Sequence, residues 1–100
     1  INPSNISHIS VDGHYLDIHH IDDQEMECLM IRRPLTQMME DLPSPPFIRV
    51  HRSHIANLQH VSKIDKNKNN YAISLFNDQY TIPISRGRIE AVLAAFETLS

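Results

Sequence analysis

The residues with the richest hydrogen-bonding chemistry stand together in the segment Phe47–Asn57, which reads FIRVHRSHIAN. Apolar and polar residues alternate at its start, and this alternation predicts a strand that delivers His51, Arg52 and Ser53 to one place. An imidazole, a guanidinium with several donors and a hydroxyl can bind either a phosphate group or the edge of a base. A second polar cluster, ISRGR, occupies Ile84–Arg88, where a strand is predicted to end and a helix to begin.

Metal binding and hydrolytic catalysis are two other kinds of chemistry that such residues can support. The chain has seven histidines, and imidazole is the commonest metal ligand. His51 and His54 would face opposite sides of a regular strand, however, so they could share one ion only if the backbone turned between them. Neither this pair nor His19–His20 belongs to a recognised ligand motif, and neither Ser53 nor Ser85 lies in a G-x-S-x-G nucleophile context. We therefore expect no metal, no other cofactor and no enzymatic activity.

Hairpin and helix signals divide the chain into short elements that would position these residues. Asp12–Gly13 is a strong turn signal between strands at residues 6–11 and 14–19. Further strands are predicted at residues 26–31, 61–64, 71–75 and 79–82, with turns between them. Pro34 is expected to start a short helix, and Ser85 to be the N-cap of a terminal helix. The expected apolar stripes of the two helices are Leu35, Met38, Met39 and Leu42, and Ile89, Val92, Leu93 and Phe96.

Composition predicts a single compact domain over residues 1–100, with 1–5 as a linker or terminus. With 41% apolar residues, 100 residues can bury a core without disulfides. The lone Cys28 lies in an apolar run and is expected to be a small buried hydrophobic residue. No signal peptide or membrane span is evident, which predicts a cytoplasmic domain. Because the chain begins at Ile1 rather than Met, we expect it to be part of a longer protein.

The charge is unevenly distributed along the chain. The formal net charge is −3, which by itself is unusual for a nucleic-acid-binding domain. Residues 1–48 carry a net −6, whereas residues 49–89 carry a net +5. A basic face on an acidic body is therefore expected, and only the local field acts on phosphates within a Debye length of roughly 8–10 Å.

Two motifs in this basic half resemble the LytTR family of bacterial DNA-binding domains. Phe47–Ser53 matches the family block F-x-R-V-H-R-S, and Asn57 follows it by four residues. Ile82–Arg86 matches the late block I-P-[VI]-S-R. Two linked motifs at this spacing are far more specific than either alone. The chain departs from the family pattern at His54, usually an aromatic residue, and at Ala56, usually valine, which is expected to affect local packing.

The resemblance implies an elongated, mainly β fold of antiparallel strands with one short middle helix and a C-terminal helix. It also implies a bacterial transcriptional regulator that binds specific double-stranded DNA as a dimer on promoter repeats. In the family, loops rather than a recognition helix enter two major grooves and the minor groove between them. The corresponding loops here carry His14, Arg52 and Arg86. A receiver domain or a membrane-anchored sensory domain is expected to precede this one.

The expected DNA-binding residues extend beyond those three loops, while His51 and Asn57 are expected to be structural. The full expected set is His14, Arg49, Arg52, Ser53, Lys63, Lys66, Lys68, Arg86 and Arg88. The acidic overall charge motivates one alternative, a protein-interaction or ligand-sensing module on the same scaffold that lacks strong DNA binding.

Overall fold

The computed structural model describes residues 2–99, which form two antiparallel sheets and two α-helices. The strands are β1 (Ile6–Asp12), β2 (Tyr15–Asp22), β3 (Glu25–Ile31), β4 (Phe47–His51), β5 (His54–Asn57), β6 (Val61–Asn67), β7 (Asn70–Leu75) and β8 (Tyr80–Ile84). The first sheet has the order β3-β2-β1-β5-β4 and the second β6-β7-β8. Helix α1 spans Leu35–Asp41 and helix α2 spans Ile89–Leu99. The predicted mainly β fold with a middle and a terminal helix is confirmed.

The first hairpin turns where the Asp-Gly signal predicts. Asp12 pairs with Tyr15, so Gly13 and His14 form a two-residue turn. Gly13 has a φ of +61°, a conformation that glycine adopts without steric cost. Strand β2 therefore begins at Tyr15 rather than at His14, and His14 lies exposed in the turn.

One hydrophobic core lies between the first sheet and α1. The predicted stripe of α1 is largely confirmed, because Leu35, Met38 and Leu42 are buried and Met39 is partly buried against them. Pro34 is the N-cap rather than the first helical residue. The sheet and the flanking chain contribute Ile6, Ile9, Leu16, Ile18, Phe47 and Ile55.

A second core lies on the opposite side of β4 and β5. Val50 and Ala56 point into it, whereas Phe47 and Ile55 point into the first core, so the hairpin that carries the long motif belongs to both cores. Val92 of α2 is fully buried there, and Ile89 packs at its margin. The second sheet contributes Ile73, Leu75, Ile82 and Ile84.

Cys28 is exposed, and the prediction that it is buried is wrong. The apolar run at residues 26–31 lies in β3, which is one of the two edge strands of the first sheet. Leu29 and Met30 are 43% and 56% exposed on that strand. Local hydrophobicity predicted the strand, but long-range pairing determines which strand lies at an edge.

The terminal helix begins later than predicted. A 3-10 helix over Arg86–Arg88 separates Ser85 from α2. Ser85 is the N-cap of that 3-10 helix by position, but its side chain makes no capping hydrogen bond. Within residues 2–99, neither helix is long and apolar enough to cross a membrane.

Candidate nucleic-acid interface

The long motif forms a hairpin rather than one continuous strand. Arg52 and Ser53 form the turn between β4 and β5, and His51 pairs directly with His54. Their rings lie side by side on one face, with centroids 5.2 Å apart. The segment is therefore not a regular strand. The backbone reverses between the two histidines, which is the condition under which they are expected to lie on one face.

Arg49 holds this turn in place through its guanidinium group. Its Nη2 donates to the carbonyl oxygen of Arg52 at 2.6 Å, and its Nε donates to that of His51 at 3.4 Å. Its Nη1 donates to Thr36 Oγ1 at 3.2 Å. These bonds connect the turn to α1 and restrict its conformations. The DNA contact expected of Arg49 stays a prediction.

His51 and Asn57 have the structural roles that the sequence analysis predicts. The backbone N–H of Ser53 donates to His51 Nδ1 at 3.1 Å, which closes the turn. Asn57 is fully buried. Its amide donates to the Ile6 carbonyl at 2.9 Å, and its Oδ1 accepts from the Gln59 N–H at 3.0 Å.

Two backbone hydrogen bonds connect the β4–β5 hairpin to the segments that carry the other two loops of the predicted site. The Val11 N–H, at the end of β1, donates to the Ser53 carbonyl at 2.9 Å. The Ser85 N–H donates to the Val50 carbonyl, also at 2.9 Å. The β1–β2 turn, the β4–β5 turn and the 3-10 helix over Arg86–Arg88 are therefore joined in a row, which we call the three-loop edge.

The three-loop edge presents both free and tethered polar groups. His14, Arg52 and Arg86 are exposed, whereas Ser53 is half-buried. Arg88 is also half-buried, and its Nη1 donates to Ser85 Oγ at 3.2 Å. The side chains of Arg52 and Arg86 can therefore reach an anion outside the protein from backbone positions that the scaffold holds.

The three lysines lie on the β6–β7 hairpin, which we call the lysine hairpin. Lys66 pairs with Tyr71, and Tyr71 in turn pairs with Ile84. This register places the turn at Lys68 at the same end of the second sheet as Ser85. Lys66 Nζ lies 5.8 Å from the centroid of the Tyr71 ring, within the range of a cation–π contact.

Lys63 differs from the other two lysines in its electrostatic surroundings. Its Nζ lies 3.6 Å from Asp65 and 3.9 Å from Asp78, and these carboxylates offset its charge. It pairs with Ser74, further from the three-loop edge along the hairpin. The structure therefore joins Lys66 and Lys68 to the three-loop edge more closely than Lys63.

A group of histidines on the inner face of the first sheet is kept neutral. Burial, reinforced by the neighbouring His19 and His54, lowers the pKa of His8 to about 3. Burial also lowers the pKa of His19, against an opposing effect of Asp17. Burial and the adjacent His51 lower the pKa of His54, whose Nδ1 lies 2.8 Å from Ser10 Oγ in a hydrogen bond. These rings pack and hydrogen-bond within the domain rather than supplying positive charge at neutral pH.

The structure also brings together three metal-ligating side chains that sequence reasoning missed. Asp17, His19 and Cys28 each place one ligand atom within 4.8 Å of the others. The sequence indicates that Asp17 and His19 share one face of a strand, because they are two residues apart. The sequence does not show the register of the β2–β3 hairpin, which places Cys28 opposite His19.

Comparisons with known proteins agree with the architecture. The family model of the LytTr DNA-binding domain matches residues 1–97. Among solved structures, the chain is similar to one described as the LytTr DNA-binding domain of a methyl-accepting/DNA response regulator from Bacillus cereus, with a TM-score of 0.81. That match has 19% sequence identity and covers 95% of this chain and 84% of the other, so it shows a shared fold. No curated protein sequence matches the chain. The family match over nearly the whole length shows that this chain belongs to the LytTr DNA-binding domain family.

Proposed function

We propose that this domain binds specific double-stranded DNA through the three-loop edge and acts in a bacterial transcriptional regulator. The observation that carries the proposal is the pair of backbone hydrogen bonds from Val11 to Ser53 and from Ser85 to Val50. They hold three loops with exposed polar side chains in a fixed order, and a preorganised set of donors loses little conformational entropy on binding.

The residues of the edge divide into two proposed roles. Arg52 and Arg86 are exposed on tethered loops, and an arginine can donate two hydrogen bonds to the O6 and N7 atoms of guanine in the major groove. His14 would contact DNA from the first turn, and Ser53, Arg49 and Arg88 would support the two arginines or contact phosphates.

The lysine hairpin adds a sequence-independent contribution. Lys66 and Lys68 lie at the end of the second sheet that adjoins Ser85, where they would contact backbone phosphates. Phosphate contacts set position and orientation on the duplex, whereas contacts to base edges set specificity. Lys63 is the weakest member of the proposed set, because Asp65 and Asp78 lie beside it.

We further propose that two copies bind adjacent promoter repeats. One domain offers only three short loops to the DNA. When a second copy binds the adjacent repeat in the same dimer, its binding becomes intramolecular, and the resulting high effective concentration increases the overall affinity. The stoichiometry on duplexes with one or two copies of the selected site tests this directly. Equal affinity and a single bound domain on both duplexes would contradict dimeric binding.

The main test starts from a library of random DNA duplexes, because the fold does not specify the target sequence. Duplexes that the domain retains identify that sequence. Sequences retained by the domain are then measured by mobility shift at several salt concentrations. If the domain neutralises about four to six phosphates, the logarithm of the association constant should fall linearly with the logarithm of the salt concentration, with a slope of roughly −4 to −5. A slope shallower than about −1 would contradict phosphate contacts.

Substitutions then locate the interface. Arg52→Ala and Arg86→Ala should weaken binding to the selected site strongly, while Lys63→Ala removes the same charge with little effect. Retained folding is checked by thermal melting. If no duplex is retained even at low salt, the domain is a protein-interaction or ligand-sensing module instead.

A further inference from the structure

A cluster of three side chains with different metal-ligating atoms lies at the edge of the first sheet, apart from the three-loop edge. Asp17 and His19 are two residues apart on β2, so they share one face of the sheet. Cys28 of β3 is the direct cross-strand partner of His19. One oxygen, one imidazole nitrogen and one sulfur lie within 4.8 Å of one another.

The surroundings of the cluster hold His19 while leaving one side open. The His19 ring stacks on the His8 ring, with centroids 4.2 Å apart and planes inclined by 10°. The ring of Tyr80 lies 5.7 Å away on the second sheet. Cys28, in contrast, is exposed on the edge strand, so an ion could enter from solvent.

The carboxylate of Asp17 is not neutralised by a basic side chain. Among residues 2–99, no lysine, arginine or histidine forms a salt bridge with it. Its negative charge acts on both neighbours. For His19, it partly offsets the lowering of the pKa that burial causes. Partial burial of the sulfur, together with Asp17, raises the pKa of the Cys28 thiol. The cluster thus contains a negative charge, a neutral imidazole and a thiol that a cation would stabilise as a thiolate.

The combination of ligand atoms selects the class of metal. Magnesium and calcium bind oxygen ligands almost exclusively, whereas sulfur, nitrogen and oxygen together are typical of zinc and of the late first-row divalent ions. A tetrahedral zinc ion with bonds of about 2.0–2.3 Å separates its ligand atoms by roughly 3.3–3.8 Å. The side chains would therefore have to move together by about 1 Å, and rotation of Cys28 on an exposed edge strand allows that.

We propose that Asp17, His19 and Cys28 bind a divalent ion of the zinc class, with water in the fourth position. Binding breaks the S–H bond of Cys28 and releases its proton to solvent, with no change of oxidation state. The ion would join β2 to the edge strand β3 by side-chain bonds. This site is separate from the proposed DNA interface, because its residues lie on β2 and β3 rather than in the three loops.

Cobalt(II) is the appropriate probe, because a thiolate bound to cobalt produces a charge-transfer absorption band in the near ultraviolet. The reduced domain is titrated with cobalt, and zinc is then added to displace it. We expect the band to appear at one equivalent, to disappear in Cys28→Ser and to require at least tenfold more cobalt in His19→Gln or Asp17→Asn. His20→Gln serves as the matched control, because His20 adjoins His19 on β2 but points to the opposite face.

Thermal melting with and without zinc provides the second measurement, and it also shows which variants remain folded. The wild type and His20→Gln should melt at a higher temperature with zinc, since a ligand that binds only the folded state stabilises it. Cys28→Ser should show no such increase. If cobalt at tenfold excess produces no band in the wild type, the proposal is wrong. It is equally wrong if folded His19→Gln and Asp17→Asn bind cobalt as well as the wild type, because Cys28 alone is then the ligand.

Discussion

The three-loop edge and the lysine hairpin both carry positive charge, but they are built differently. At the edge, Val11 and Ser85 form backbone hydrogen bonds to the β4–β5 hairpin, and Arg49 forms three more to its turn and to α1. The lysine hairpin is held near its tip by cross-strand pairing and by the contact of Lys66 with the Tyr71 ring, and Lys68 in its turn has a φ of +59°.

This difference predicts that the two regions contribute differently to DNA binding, one to sequence specificity and the other to overall affinity. Discrimination between bases requires donors held to within a few tenths of an ångström, because hydrogen bonds weaken steeply with misalignment. Attraction to phosphates depends on charge and distance and tolerates mobility. The tethered region should therefore determine which sequence is bound, and the lysine hairpin how strongly any duplex is bound.

The largest expected effect is on the end of the β4–β5 hairpin that lies opposite its turn, where Asn57 pairs with Phe47. Asn57→Ala removes a fully buried side chain and leaves the buried Ile6 carbonyl and the part-buried Gln59 N–H without their present partners. We expect the free energy of unfolding to fall by about 2–4 kcal/mol, since each buried unsatisfied group costs about 1–3 kcal/mol. Denaturant titration measures the change.

Gln59→Ala is the control for that substitution, because Gln59 contacts Asn57 only through its backbone N–H. Its effect should stay within about 0.5 kcal/mol, as for other exposed positions. Similar losses in both variants would mean that the 3-10 helix over Leu58–His60, rather than the Asn57 side chain, supports this part of the fold.

Acid should weaken the contact between the two sheets. His8 has its pKa lowered to about 3 by burial, and its ring lies 5.3 Å from that of Tyr80 on the second sheet. Between about pH 3 and 6.5 the unfolded chain binds a proton at this residue that the folded chain does not. Stability is therefore flat above pH 6.5 and falls below it, by about 2 kcal/mol at pH 5 from His8 alone.

Urea denaturation at pH 5, 6 and 7.5 checks the sign and the size of this effect. His8→Gln removes the titrating group, so its stability should fall less steeply with acid than that of the wild type. The slopes differ by up to about 1.4 kcal/mol per pH unit. Identical slopes in the two proteins would show that other groups cause the loss of stability in acid.

Sequence reasoning predicted the parts of the fold that depend on local pattern. The Asp-Gly turn, the apolar stripe of α1 and the strands that begin the two motif segments, β4 and β8, appear where alternation and turn chemistry place them. These features depend on neighbours within a few residues, which the sequence displays directly. The family resemblance of the two motifs, rather than local pattern, implied that Arg52 and Arg86 belong to one site, and this stays a prediction.

The features that sequence reasoning missed depend on contacts between distant residues. The turn at Arg52–Ser53 is stabilised by Arg49 and by Val11, and an alternating segment can equally be a straight strand. Cys28 is exposed on β3, which is an edge strand of the first sheet. The Asp17, His19 and Cys28 cluster requires the β2–β3 register, since a shift of one residue moves Cys28 to the other face.

Substitution of Arg86 tests whether the three-loop edge determines sequence specificity and the lysine hairpin determines overall affinity. If Arg86 contacts a guanine edge, Arg86→Ala should cost about 1–3 kcal/mol on the selected site and much less on random DNA. Lys68→Ala should weaken binding to both duplexes about equally and lower the salt slope by about one. The decisive quantity is the ratio of specific to non-specific affinity at one salt concentration. Equal loss on both duplexes in Arg86→Ala would make Arg86 a phosphate contact.

The smallest expected effect distinguishes two lysines of the same hairpin. Lys63 and Lys68 carry the same charge, but Asp65 and Asp78 lie within 4 Å of Lys63 Nζ, whereas Lys68 lies at the tip near the three-loop edge. Lys63→Ala should therefore leave the salt slope almost unchanged, while Lys68→Ala lowers it by about one phosphate contact. Adding Asp65→Asn and Asp78→Asn to the wild type should steepen the slope if the carboxylates mask Lys63. If Lys63→Ala instead lowers the slope as much as Lys68→Ala, DNA extends along the whole hairpin, and the three-loop edge is only one end of the interface.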